Sequence, residues 1–131
     1  MIIFLYTNKE CEYQAKYCIE SFINKLSKDD KVVYFTIGFD SLIEHEKLQK
    51  IRIPYKDYRT FHYYKAELSL DVMRMFPEEQ DFIFTDTDIL FSRRMDFHKL
   101  KHTHNYALGV FGPHDQPYIW SRDTDGSNFQ I

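Results

Sequence analysis

Short apolar runs alternate along this 131-residue chain with segments of helical periodicity, and the alternation predicts an α/β fold: a mainly parallel sheet flanked by helices. Three observations carry that reading. The apolar runs are continuous instead of alternating with polar residues, as in strands covered on both faces. The segments between them place apolar residues at i, i+3, i+4 and i+7, so each presents one apolar stripe to a sheet. Connections of the strand–helix–strand kind are right-handed and lay the two strands parallel.

The first run, Ile2 to Tyr6, is a buried strand that Thr7, Asn8 and Lys9 end with turn chemistry. Ala15, Cys18, Ile19, Phe22, Ile23 and Leu26 form the first helical stripe, closed by Ser27, Lys28, Asp29 and Asp30. Val32 to Ile37, rich in β-branched and aromatic residues, is the second strand. Gly38 breaks it, Leu42 to Leu48 reads as a short helix, and Ile51 to Ile53 before Pro54 reads as a third, shorter strand. A longer helix follows, with Thr60 as N-cap, a stripe of Phe61, Lys65, Leu68, Val72 and Met75, and Pro77 as its stop. Asp81 to Asp86 is the fourth strand and Tyr106 to Phe111 the fifth. Residues 1–120 are expected to form one domain, and 121–131 a polar C-terminal tail.

Composition narrows the partners. Aromatic residues make up 18% of the chain, with 12 Phe and 10 Tyr, enough to line a core and leave tyrosines for stacking and hydroxyl recognition. A net charge of −3 without a basic tract argues against sequence-independent binding to nucleic acid. No stretch approaches the ~20 apolar residues of a bilayer span, and the first residues lack the basic start of a signal peptide. Cys11 and Cys18 are spaced for one helix face and poorly for a disulfide. A reduced, cytoplasmic setting is the expectation.

Ligands of parallel sheets bind beyond the carboxyl ends of the strands. This rule selects Tyr6, Thr7 and Asn8 after the first strand, Gly38 to Asp40 after the second, and Asp86, Thr87 and Asp88 after the fourth. Asp86 and Asp88, two residues apart in an extended segment, can point to one side. Acids at strand ends also serve as turn formers and caps, but the apolar flanks FIF and ILF set this pair apart. Paired carboxylates beside apolar surface call for a compensating charge, and a hard divalent cation such as Mn²⁺ or Mg²⁺ supplies it while keeping positions open for phosphates. Lys65 interrupts an apolar stripe, and a buried ammonium needs an anionic partner such as Asp86 or a bound diphosphate. The alternative is a lysine whose stem covers the core edge.

The run FIFTDTDILF resembles the metal motif of glycosyltransferases with the GT-A fold. More specifically, the chain resembles glycosyltransferase family 6, which contains the blood-group A/B and α-1,3-galactosyl transferases. The first strand and helix with Tyr13, the helix YKAELSLDVMRM, the segment DFIFTDTDILF and the later HTHNYALGVFGP carry the resemblance. It implies a minimal GT-A nucleotide-sugar-binding fold, a UDP-sugar donor (UDP-Gal, UDP-GalNAc or UDP-Glc), Mn²⁺, and transfer with retention to a sugar or glycan acceptor. It further implies that Tyr6, Thr7 and Asn8 read the base, that Tyr13 stacks on it, and that Lys65 contacts the donor and the acidic motif. Thr87 falls within the donor site, and Asp86 and Asp88 hold the metal. Family members continue into a second half that supplies the acceptor site and an acidic group near the anomeric carbon. Nothing in this chain corresponds to it, so the catalytic group is unassigned and a homo-oligomer completing the acceptor site is one expectation.

His114, after Gly112 and Pro113, is a further candidate to assist the metal or the acceptor. His98, His102 and His104 suggest zinc, but no closed ligand set accompanies them. The second acidic triplet, Asp123 to Asp125, has its glycine misplaced for a calcium loop. Two rival functions remain open: a module that binds a nucleotide sugar without transferring it, and a phosphohydrolase with Asp86 as nucleophile. The second fits poorly, because Leu90 stands where such enzymes place Thr or Val.

Overall fold

The first apolar run forms the middle of a parallel sheet. The computed structural model describes residues 1–58, 62–97, 109–111, 117–122 and 128–130, divided between two units, Met1–His98 and Lys99–Ile131. In the first unit β1 (Ile2–Asn8) leads through a 3-10 turn into α1 (Glu12–Phe22), and β2 (Lys31–Ile37) and β3 (Leu48–Ile53) follow. Next come α2 (His62–Met75) and β4 (Phe82–Phe84). The strand order is β3-β2-β1-β4, with every pairing parallel. The chain therefore winds outward from β1 to β3, then crosses back to lay β4 on the other side of β1. The switch point falls between β1 and β4, where parallel sheets open a crevice for ligands.

The pleat explains why the runs are apolar throughout. Ile3 and Leu5 of β1 pack with Val32, Tyr34 and the α1 residues Ala15, Cys18, Ile19 and Phe22. Ile2 and Phe4 pack on the opposite face with Val33, Phe35 and the α2 residues Tyr64, Leu68 and Val72. Each large side chain so buried contributes roughly 1.5–3 kcal/mol. At the opposite end from the crevice, the Met1 ammonium is paired with Asp30 at 3.2 Å and Glu79 at 3.0 Å. Asp30 also accepts from the Ser27 amide and hydroxyl, which closes the turn before β2.

Four local expectations change. Leu42 to Leu48 is not a helix: Glu12 accepts hydrogen bonds from Ser41 Oγ and Leu42 N, Leu42 is 90% exposed, and Leu48 already belongs to β3. Ile43 packs against the core while Leu42 points away from it, and pairing with β2 takes the segment's end. In α2 the inward stripe is Tyr64, Leu68 and Val72, while Lys65 and Met75 are exposed. Tyr64 takes the inner place because its hydroxyl has a partner there, accepting from Lys56 N at 2.5 Å and donating to Lys56 O at 3.2 Å. Thr60 and Phe61 lie outside the described residues. The fourth strand is shorter than Asp81 to Asp86 and half-buried, since among the described residues β4 pairs with β1 alone. The fifth expected strand survives as β5 (Gly109–Phe111), but it pairs antiparallel with β6 (Pro117–Arg122), which in turn pairs with β7 (Asn128–Gln130). These three make a separate sheet in the second unit, so strand structure extends into residues 121–130. Among the described residues no helix is long and apolar enough to cross a membrane.

Candidate functional site

The carboxyl ends of β1 and β4 deliver their residues to one open cleft of about 460 Å³. On the β1 side, Thr7 is buried and its hydroxyl donates to Asn8 O at 3.0 Å. Asn8 Oδ1 accepts from Cys11 N at 3.1 Å, capping the turn that starts α1. On the β4 side, Thr85 N donates to Phe4 O at 3.1 Å, the last backbone bond between the strands before the chain turns away. Thr85 is buried and its hydroxyl donates to Asp86 O at 3.1 Å. Asp86 and Asp88 are both exposed, and Thr87 between them is half-buried.

Of the residues selected from the sequence, Tyr6, Thr7, Asn8, Asp86, Thr87 and Asp88 line this cleft together. Tyr13 does not. It is 61% exposed on the outer side of α1, and its hydroxyl accepts from Gln14 Nε2 at 3.3 Å. Lys65 is not the buried ammonium its place in the stripe predicted. It is exposed, and its Nζ sits 4.3 Å above the centre of the Phe84 ring, the contact of a cation with an aromatic face. Phe84 lines the cleft, so Lys65 borders the site through that ring. The apolar flanks of the acids divide as well. Phe91 packs on Phe22 with ring centres 5.2 Å apart, but Ile89 is 40% and Leu90 71% exposed. Apolar surface therefore backs the acidic pair from the strand side only. His114, His98, His102, His104 and the triplet Asp123 to Asp125 lie outside the described residues.

Sequence reasoning missed Cys11, Gln14, His62 and Phe84, which also line the cleft. Cys11, Gln14 and His62 stand at the starts of helices that follow strands, the same ligand edge by topology, and that signal was available. Phe84 reads only as a core strand residue. Its ring lies 5.8 Å from that of Tyr6, which lies 6.0 Å from that of Tyr64, giving the cleft an aromatic wall.

Burial, and then the charge of Asp86, push the Tyr6 hydroxyl above its ordinary value, so it stays a protonated donor. Cys18 lies behind the acids, its Sγ 3.8 Å from Thr85 Oγ1 and 3.5 Å from Asp86 O. Burial raises its thiol to about 11, with the charges of Asp88 and Asp86 adding to the effect against the Thr85 hydrogen bond. A neutral thiol so placed is a weak hydrogen-bonding group, not a nucleophile. Cys11 and Cys18 are both free.

Among the described residues no group of three or more His, Cys, Asp or Glu is gathered as a metal cage. The donor set of this cleft is instead two exposed carboxylates flanking a threonine. Hard oxygen ligands so few in number suit an ion that completes its shell with water and phosphate oxygens, as Mg²⁺ and Mn²⁺ do. No protein-family model matches the chain, and no curated protein matches it.

Proposed function

We propose that the chain binds a UDP-sugar through a divalent cation and transfers the hexose to an acceptor, as a metal-dependent glycosyltransferase. One observation supports this above the others: the acidic turn Asp86–Thr87–Asp88 and the end of β1 share a cleft at the switch point of a parallel sheet. The likeness of FIFTDTDILF to the metal motif of such enzymes adds the reaction class. In this reading Asp86 and Asp88 hold Mn²⁺ or Mg²⁺, which when bound stabilises the negative charge left on the diphosphate. Tyr6 and Asn8 present a ring and an amide to the base, and Thr7 fixes the backbone at Asn8 by its own hydrogen bond. Lys65, beside Phe84, brings a positive charge toward the anionic end of the donor. Tyr13 stands outside this constellation.

Calorimetry with UDP is the test. Mn²⁺ is expected to tighten binding to the wild-type protein at least about tenfold, about 1.4 kcal/mol, and to leave Asp88→Ala unaffected. Equal affinities across both proteins, with and without the ion, would remove the proposal. The second reading, binding without transfer, draws on the lining: among the described cleft residues Asp86 and Asp88 are the carboxylates, and the first reading assigns both to the ion, which leaves neither as a catalytic group. Release of UDP from labelled UDP-sugars in the presence of candidate acceptors separates the two.

A further inference from the structure

The acids sit on a segment that no strand pairing holds. After Thr85 N bonds to Phe4 O, residues 86–92 run as turn and irregular chain, with Asp86, Asp88, Ile89 and Leu90 all exposed. A free segment of that kind would leave the two carboxylates wandering relative to each other and to β1.

Side chains from the first helix meet it at regular intervals. Gln14 Oε1 accepts from Thr87 Oγ1 at 3.4 Å. Cys18 Sγ meets Thr85 Oγ1 at 3.8 Å and Asp86 O at 3.5 Å. Ser21 Oγ accepts from Phe91 N at 3.0 Å while donating to Cys18 O at 2.6 Å. Lys25, in the 3-10 turn Ile23–Lys25 that continues α1, donates to Ser92 O. Positions 14, 18, 21 and 25 are spaced i, i+4, i+7 and i+11, one continuous stripe along a helix. Cys18 belongs also to the apolar stripe that packs on the sheet, and Gln14, Ser21 and Lys25 run beside it.

We infer that this polar stripe of α1 is the device that positions the acidic loop, with Gln14, Cys18, Ser21 and Lys25 acting as positioning residues for Asp86 and Asp88. The inference rests on the proposed metal site for its consequence and on the four contacts for its geometry. The anchors bracket the acids: two act at residues 85–87 and two at 91–92. Cys18, Ser21 and Lys25 are not among the residues lining the cleft and act through the loop, and Gln14, which lines it, holds Thr87. The effect is pre-organisation, since an ion that finds its two ligands already placed does not have to order them.

Ser21 gives the cleanest test, because it is not among the residues lining the cleft. Ser21→Ala leaves Phe91 N without its acceptor, whereas Ser21→Thr keeps one. Mn²⁺ uptake by the full chain, read from the loss of the free-ion paramagnetic resonance signal, is expected to weaken about three- to tenfold in Ser21→Ala, the scale of one lost ordering bond. Ser21→Thr is expected to return to within about twofold of wild type. Amide exchange supplies the second readout, and Phe91 N–H is expected to lose protection in Ser21→Ala alone. Wild-type affinity and unchanged Phe91 protection in Ser21→Ala overturn the inference. Should the wild-type protein itself take up no Mn²⁺, the metal reading falls, and the exchange readout alone decides whether α1 orders the loop. If Ser21→Ala does not fold, Lys25→Met takes its place, with a loss of about twofold expected and wild-type uptake overturning the inference.

Discussion

The two faces of the sheet are covered by helices of different character. α1 buries Ala15, Cys18, Ile19 and Phe22 to 1% exposure or less within eleven residues. Over fourteen residues α2 buries only Tyr64, Leu68 and Val72, and leaves Tyr63, Leu70 and Met73 about half exposed. The polar contacts differ in the same sense. α1 and the 3-10 turn that continues it hold the acidic loop mainly through its backbone. α2 reaches the cleft through rings and a lysine ammonium. On this division α1 fixes where the acids are, and α2 governs what a ligand meets beside them.

Removing one large side chain from each face gives the sharpest test of that division. Phe22→Ala and Leu68→Ala both open the core and are expected to cost about 2–5 kcal/mol in denaturant unfolding. Their effects on Mn²⁺ uptake should diverge. Phe22 touches the rings of Phe91 and Phe97 at 5.2 and 6.1 Å, so its loss loosens the segment that carries the acids. Leu68 packs against the sheet on the other face, and its folded fraction should bind the ion as wild type does. Equal losses of Mn²⁺ affinity in the two variants would show that both helices set the site.

Lys65→Met addresses the α2 side with a smaller effect. The stem is retained and the charge is lost, so affinity for UDP in the presence of Mn²⁺ is expected to fall about tenfold, in the range of a charge-assisted bond. Mn²⁺ uptake without nucleotide should not change. An exposed cation over a ring contributes only about 0.5–1 kcal/mol to folding, so the melting temperature should move by a few degrees at most. A larger fall in melting temperature with unaltered UDP affinity would assign Lys65 to packing.

The parallel strands of the first sheet and the cleft's position were readable before the structure because each rests on a short-range signal. Continuous apolar runs mark doubly covered strands, and acids or turn residues directly after them mark the ligand edge. Tyr6, Thr7, Asn8 and the acidic turn were found in this way. Lys65 was read as buried from helical phase, whereas Tyr13 came from the family resemblance alone and no strand end pointed to it. The expected stripe and the observed one share Leu68 and Val72 and differ in whether Lys65 or its neighbour Tyr64 turns inward. Tyr64 belongs inside because Lys56, eight residues upstream, satisfies its hydroxyl, a contact that periodicity does not encode. The anchoring stripe Gln14, Cys18, Ser21 and Lys25 was invisible for a similar reason. Gln14, Ser21 and Lys25 look like a solvated helix flank, and Cys18 like core, until the partner loop is known to lie over them. The exposure of Ile89 and Leu90 shows the converse: apolar identity alone does not place a residue in the core.

Acid should loosen the two faces unequally, and this is the smallest effect expected. Glu67 on α2 accepts from Lys56 Nζ and from the Tyr58 hydroxyl, tying the segment before α2 to the helix. The Lys56 hydrogen bond first, and the Tyr58 bond after it, hold the Glu67 carboxyl below its ordinary value of 4.5. A carboxylate whose folded value is depressed stabilises the fold above its ordinary value, and that contribution is lost as pH falls through the folded value. The wild-type melting temperature should therefore exceed that of Glu67→Gln near neutrality, and the margin should shrink as the pH falls below the ordinary value of 4.5. Glu67 is only half-buried and its partner Lys56 is exposed, so the margin is about 1–2 °C. Gln14, Cys18 and Ser21 carry no group that titrates in that range, so Ser21→Ala should run parallel to wild type across the same span. A margin for Glu67→Gln that does not shrink in acid, or one for Ser21→Ala that does, would mean that the two faces are not held by the different chemistries their contacts indicate.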